Sequence, residues 1–181
     1  RVYVDGWLSS AYSAMDYIGE FSEPFRWTAD DLYHPDMKEY HEGNYSADNQ
    51  FSDSNQNESR LWKYYEGIRK ASTFVNNVDL CPELTMDEKT DMKGQARFLR
   101  AYCYWALMRV YGPVPLIPLE GLDVNLSYEE LSLPREHFDV LVDFVDKELM
   151  EAARSLPTKR TVNNLGRPTR GAALGLRSRV L

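Results

Sequence analysis

The sequence predicts an all-α fold: helices paired as hairpins and joined by long irregular loops. Apolar residues recur at three- and four-residue spacing in successive stretches, and strand-like alternation survives nowhere over a useful length. The third observation is the stretch from Thr85 to Pro118, TMDEKTDMKGQARFLRAYCYWALMRVYGPVPLIP. Its helix is apolar over so much of its circumference that other helices have to enclose it. The pairing follows the manner of helical repeats, but the spacing is too irregular for a strict tetratricopeptide array with its roughly 34-residue period.

Residues 3–20 place Val4, Trp7, Leu8, Ala11, Met15 and Ile18 at helical spacing, an amphipathic helix ending near Gly19. From Phe21 to Ser59 the periodicity disappears amid dense Asn, Asp, Ser, Gly and Pro. The same stretch holds Phe21, Phe25, Trp27, Tyr33, Tyr40, Tyr45 and Phe51, more rings than a flexible linker carries. Residues 21–57 therefore read as a long ordered surface loop, where function tends to concentrate. A second helix is expected from about Glu58 to Asp79, with Leu61, Trp62, Tyr65, Ile68, Phe74, Val75 and Val78 on its buried side. Pro82 ends it.

The central helix follows. Thr85 and Glu88 stand three apart, as a capping box requires, and no proline interrupts before Pro113. Phe98, Ala101, Tyr102, Trp105 and Met108 form one apolar stripe, with Leu99, Cys103, Ala106 and Val110 beside it. Gly112 supplies a left-handed stop, and Pro113, Pro115 and Pro118 force an extended exit. Val114 to Leu131 reads as an extended surface connection. Pro134 suits a first helical turn, and an amphipathic helix continues to Leu156, where Pro157 stops it. A polar turn with Asn163, Asn164 and Gly166 leads to Thr169, which can cap a last helix.

At 181 residues, 43% hydrophobic and 27% charged, the chain has the size and composition of one globular domain. No apolar run approaches the roughly 20 residues that cross a bilayer. The chain begins at Arg1 and stops at Leu181 inside a helical pattern, so residues 1–181 read as a single helical domain truncated at both ends. The net charge of −7 is uneven: residues 1–60 hold 4 basic and 12 acidic side chains. That front half argues against nucleic acid as a partner. The last 27 residues carry six basic side chains and no acidic one, which reads as a solvated or partner-facing surface. Cys81 and Cys103 have neither CxxC nor metal spacing, and a disulfide between them stays open.

No catalytic constellation emerges. His34, His41 and His137 are scattered without metal-ligand spacing. Asp30–Asp31 and Glu129–Glu130 are merely adjacent, whereas a glycosidase needs carboxylates facing each other across a bond. No GxSxG elbow or phosphate-cradling glycine cluster occurs. Catalytic residues, metal ligands and cofactor are accordingly expected to be absent. The chemistry that remains is in the loop. Sugars present CH faces that stack on aromatic rings and hydroxyls that seek amide and carboxylate partners. Trp27, Tyr33, Tyr40, Asn44, Tyr45, Asp48 and Asn49 supply such groups and are the candidate ligand-binding residues. Stapling of the loop to the domain beneath competes with binding as the role of each ring.

The central helix also resembles a known family. Lys93, Gly94, Gln95, Ala96, Arg97, Phe98, Leu99, Arg100, Ala101 and Tyr102, then Tyr111, Gly112, Val114, Pro115 and Leu116, follow the pattern of the SusD/RagB nutrient-binding outer-membrane lipoproteins of Bacteroidetes. LWKYYEGIRKASTFVNNVD upstream, Asp146 to Pro157 and GRPTRGAALGLRSRVL downstream continue the resemblance over residues 58–181, and weakly over 1–20. Gln95 stands where the family usually has Glu, and Ser72 where it usually has Asn; both are expected to be buried polar positions. The resemblance implies paired tetratricopeptide-like helices and a non-catalytic protein that captures glycans or other nutrients at the cell surface. It implies a SusC-like TonB-dependent transporter as partner, and membrane attachment through a lipid anchor outside this fragment. Arg97 and Arg100 are expected to pair with carboxylates or helix C-termini. Two readings from other classes stand beside this one: an intracellular helical-repeat scaffold binding protein segments, and a helical carbohydrate-active enzyme with its acids beyond Leu181.

Overall fold

A computed structural model of the chain describes residues 2–20, 35, 41–43, 60–123 and 125–181. Among them are six α-helices: α1 (Val2–Glu20), α2 (Arg60–Asn77), α3 (Met86–Tyr111), α4 (Tyr128–Leu131), α5 (Phe138–Ser155) and α6 (Arg170–Val180). Single 3-10 turns occupy Val78–Leu80 and Val162–Asn164, and the described residues contain no strand. The all-α expectation is met.

Helix α3 is the spine. Its start is the expected capping box: Glu88 N–H donates to the Thr85 hydroxyl at 3.3 Å, and Thr85 N–H donates to the Glu88 carboxylate at 3.0 Å. At its end Gly112 adopts φ 66° and ψ −136° while its N–H reaches the Met108 carbonyl. Positive φ was anticipated there, but this ψ turns the chain directly into an extended run. Thr169 caps α6, accepting from Ala172 N–H at 3.2 Å.

Helices α1 and α2 pack on one flank of α3 and α5 on the other, with α6 against α5. Two apolar clusters meet on the spine. One joins Leu8 and Ala11 of α1 to Phe74 and Val75 of α2 and to Met92, Ala96 and Leu99 of α3. The other joins Tyr64 and Ile68 to Phe98, Cys103, Tyr104 and Leu107, and these to Leu141, Val145 and Leu149 of α5. Each large side chain buried this way contributes about 1.5–3 kcal/mol. The three helices can converge because Gly67 lacks a side chain. A Cβ there would sit 2.5 Å from Ala14 Cβ and 3.1 Å from Cys103 Sγ.

Polar ties join the same elements. Arg97 Nη1 lies 2.6 Å from Glu148 Oε1, and Arg100 Nη1 lies 3.7 Å from Glu148 Oε2, so both arginines find the expected carboxylate. Gln95 and Ser72 are buried, as expected. The Gln95 carbonyl accepts from Tyr12 (2.8 Å) and Arg167 (3.1 Å), and its amide donates to Asp91, which also receives Arg160 at 2.7 Å. Much of the positive charge of the last 27 residues is thus turned inward: Arg160 and Arg167 enter this network and Arg177 pairs with Asp146.

Several expectations need correction. Trp62 is 70% exposed, and Tyr64 takes the buried position on α2. The buried stripe of that helix runs Tyr64, Ile68, Ala71, Phe74 and Val75, which rotates Trp62 outward. On α3, Tyr102 and Trp105 are only half-buried, while Tyr104 and Leu107 are fully enclosed. The Val114–Leu131 connection is not extended throughout, because Ser127 and Glu130 form a capping box that starts α4. Pro134 precedes α5 by an extended segment, and His137 is its N-cap. Cys81 and Cys103 are both free thiols. The side chains of Ile18 and Val110 lie outside the described residues.

Candidate functional site

The seven loop residues singled out from sequence, Trp27, Tyr33, Tyr40, Asn44, Tyr45, Asp48 and Asn49, lie outside the described residues. Among the described residues no cluster of histidine, cysteine or carboxylate side chains could hold a metal ion, and no helix is long and apolar enough to cross a membrane. What the described residues form is a groove of about 720 Å³ between α2 and the chain that leaves α3. That volume falls in the range of small-ligand sites, roughly 300–1,000 Å³.

One wall is the extended segment 113–119, a strap held by side chains instead of a β-ladder. Tyr65 donates to the Pro115 carbonyl at 2.9 Å, Arg100 to that of Ile117 at 2.7 Å, and Asn76 to that of Leu119 at 2.8 Å. The Ile117 N–H donates to the Tyr104 hydroxyl at 2.8 Å, and Glu136 N–H reaches the Val114 carbonyl at 3.2 Å. Arg135 spans the strap's beginning, donating to the carbonyls of Tyr111 and Pro113. Pro113, Pro115 and Pro118 have no N–H to satisfy. Burial pushes the Tyr104 hydroxyl up to about 12, so it stays protonated near neutral pH.

The opposite wall is the outer stripe of α2. Trp62, Tyr65, Arg69 and Thr73 follow one another at three- and four-residue steps and all line the groove. Trp62 stands at the rim as a largely uncovered ring. The side chain of Arg69 makes no ion pair or hydrogen bond with any described residue. The carboxylate of Glu66, one turn away, is held by Lys70 at 2.8 Å, and that hydrogen bond keeps its pKa below the usual value. On the floor, the buried Ser72 hydroxyl has no hydrogen-bond partner among the described residues. The site is therefore apolar with an aromatic ring and a guanidinium at its edge. It holds no acid–base pair or activated nucleophile among the described residues.

Sequence periodicity missed this groove because it placed Trp62 inward. The signal that could have found it is the spacing of Trp62, Arg69 and Thr73, which share a face opposite to Tyr64, Ile68 and Ala71.

Comparison with known proteins supplies the kinship. Residues 9–181 match the SusD-like family model described as "Starch-binding associating with outer membrane". The SusD-like protein P25 of Formosa agariphila is 27% identical over 136 residues, which is 72% of this chain and 25% of that protein. Among solved structures, a SusD-like protein from Bacteroides fragilis is 31% identical over 66% of this chain and 23% of its own, with a TM-score of 0.59. BT4246 superposes over 99% of this chain and 30% of its own at 24% identity and a TM-score of 0.71, a likeness of fold. Surface glycan-binding protein A from Bacteroides uniformis is 26% identical over 66% of this chain and 26% of its own, with a TM-score of 0.58. The chain spans about a quarter of the length of these relatives. With the family match running through α2, α3 and the strap to α6, the chain belongs to the SusD-like family.

Proposed function

We propose that this chain is part of a non-catalytic binding protein that captures glycans at the outer-membrane surface for uptake through a SusC-like TonB-dependent transporter. The observation that carries the reading is the family match over residues 9–181, with its description of starch binding and outer-membrane association. Structural relatives that include a laminarin-binding SusD-like protein and a surface glycan-binding protein support the ligand class. The physical reading agrees: a rigid helical scaffold presents loops and a preformed groove. In this reading 1–181 forms one helical domain, its loop 21–57 contributes Trp27, Tyr33, Tyr40, Asn44, Tyr45, Asp48 and Asn49 to the ligand, and a lipid anchor outside the fragment holds the protein at the membrane.

The test is a glycan-array and affinity-gel screen of the complete protein, with product analysis on every glycan bound. Binding without turnover, weakened by Trp27→Ala or Tyr45→Ala at unchanged helix content, is the expected result. Unchanged affinity across all loop-aromatic variants removes the loop from the site. Hydrolysis of a bound glycan overturns the non-catalytic assignment. Co-purification with a TonB-dependent transporter from detergent-solubilised membranes tests the partner.

A further inference from the structure

We propose that the groove between α2 and the 113–119 strap is a subsite for an anionic saccharide, one bearing carboxylate or sulfate groups. Trp62 is its stacking platform and Arg69 its charge partner. This rests on the glycan-capture reading above and names the substrate class that the groove selects.

The strap offers little to one mode of recognition. The carbonyls of Tyr111, Pro113, Val114, Pro115, Ile117, Pro118 and Leu119 all accept hydrogen bonds from the chain itself, and three of the strap's residues are prolines without N–H. Few backbone groups of the strap remain for an extended peptide to pair with. Recognition in the groove therefore falls to side chains, and those at its mouth are specific in kind.

Trp62 exposes 70% of its surface at the rim. An indole in that position offers a flat face of the size a pyranose CH face covers. Seven residues along α2, at a rise of about 10 Å, stands Arg69, lining the same groove without an ion pair or hydrogen bond to any described residue. That separation is comparable to a disaccharide. The groove's charged lining is Arg69, Arg135 and Glu120, a positive balance within a chain of net charge −7. A ring face plus a planar guanidinium that forms no ion pair among the described residues matches a sugar that carries an anion, because the guanidinium fork takes a carboxylate or sulfate through two parallel hydrogen bonds. A neutral glucan would use the ring and gain nothing from the charge of Arg69.

The experiment is native affinity electrophoresis of the complete protein in gels containing polygalacturonate, a sulfated galactan or laminarin. Wild type is compared with Trp62→Ala, Arg69→Gln and Lys70→Gln. Lys70→Gln removes the same charge one residue away, outside the groove. The proposal expects retardation in one of the two anionic gels, with polygalacturonate and the sulfated galactan separating carboxylate from sulfate. Arg69→Gln should weaken that binding about tenfold, the size expected for losing a charge-assisted hydrogen bond, and Trp62→Ala should weaken it by removing the stacked ring. Lys70→Gln should match wild type, and added salt should reduce the retardation.

Equal retardation of wild type and Arg69→Gln overturns the proposal, as does an equal loss in Lys70→Gln, which reports bulk charge. Retardation by laminarin alone, unaffected by either groove variant, overturns the subsite and leaves glycan capture standing. Binding of poly-glutamate through the same two residues assigns the groove to acidic peptides instead. No retardation in either anionic gel overturns the subsite and leaves glycan capture to the array screen.

Discussion

Arg97 on α3 and Glu148 on α5 meet at 2.6 Å, and the same carboxylate faces Arg100 at 3.7 Å. Among the described residues Glu148 is the one anion paired with these two guanidinium groups where the two helices cross, and Arg100 itself is buried with its guanidinium 4.7 Å from the Phe144 ring centroid. Removing the charge by Glu148→Gln leaves a buried cation uncompensated. The expected cost is about 3–5 kcal/mol, read as a drop in the urea midpoint without a change in slope. A loss below 1 kcal/mol would show that water already compensates the arginines.

Gly67 and Gly175 make a matched pair of substitutions with opposite signs. A methyl at Gly67 collides with Ala14 and crowds Cys103, so Gly67→Ala should destabilise by about 1–3 kcal/mol. A methyl at Gly175 meets nothing within 4 Å, so Gly175→Ala should stabilise α6 by up to about 1 kcal/mol. Thermal melts of the two variants should bracket the parent.

Neighbouring aromatic residues of α3 should respond unequally to truncation. Tyr104 is fully enclosed and touches Phe144 edge-on, so Tyr104→Ala is expected to cost about 3–5 kcal/mol and to release the strap at Ile117. Trp105, half-buried with Arg109 over its ring, should cost less. Equal losses in chemical denaturation would place Trp105 in the core after all.

Alkali should unfold the domain through the same region. Burial raises the Cys103 thiol from 9.0 to about 12 and the Tyr104 hydroxyl from 10.0 to about 12. Both groups are acids whose neutral form the fold protects. Their contribution is fully present below the unfolded values and is lost as pH rises from about 9 towards 12. Circular dichroism should therefore show helix loss over that window, accompanied by tyrosinate absorbance. A thiol reagent at pH 8 should label Cys81 readily, and Cys103 only after denaturant is added.

The parts of the fold that depend on short-range rules were legible. Thr85 and Glu88, Gly112 and Thr169 marked helix ends because capping is decided within four residues. The arginine pairing followed from two cations on a helix too apolar to leave them alone. Trp62 failed because apolar character alone does not say which of two adjacent stripes faces inward; Tyr64, with Ala71 and Phe74, won that competition through packing against α3. Ser127 and Glu130 carried the same capping signature as Thr85 and Glu88, yet the prolines around them drew the reading towards an extended chain. The groove was not legible at all, since it exists only where α2 and the strap are brought side by side.

That strap has a consequence for how a ligand would be received. Donors from α2, α3 and the segment before α5 hold its shape before anything arrives, so occupancy of the groove does not have to order the strap and forfeits little of its chain freedom. Capture there should proceed as lock-and-key docking, with encounter rates set by diffusion and with discrimination among ligands expressed in how long each one stays.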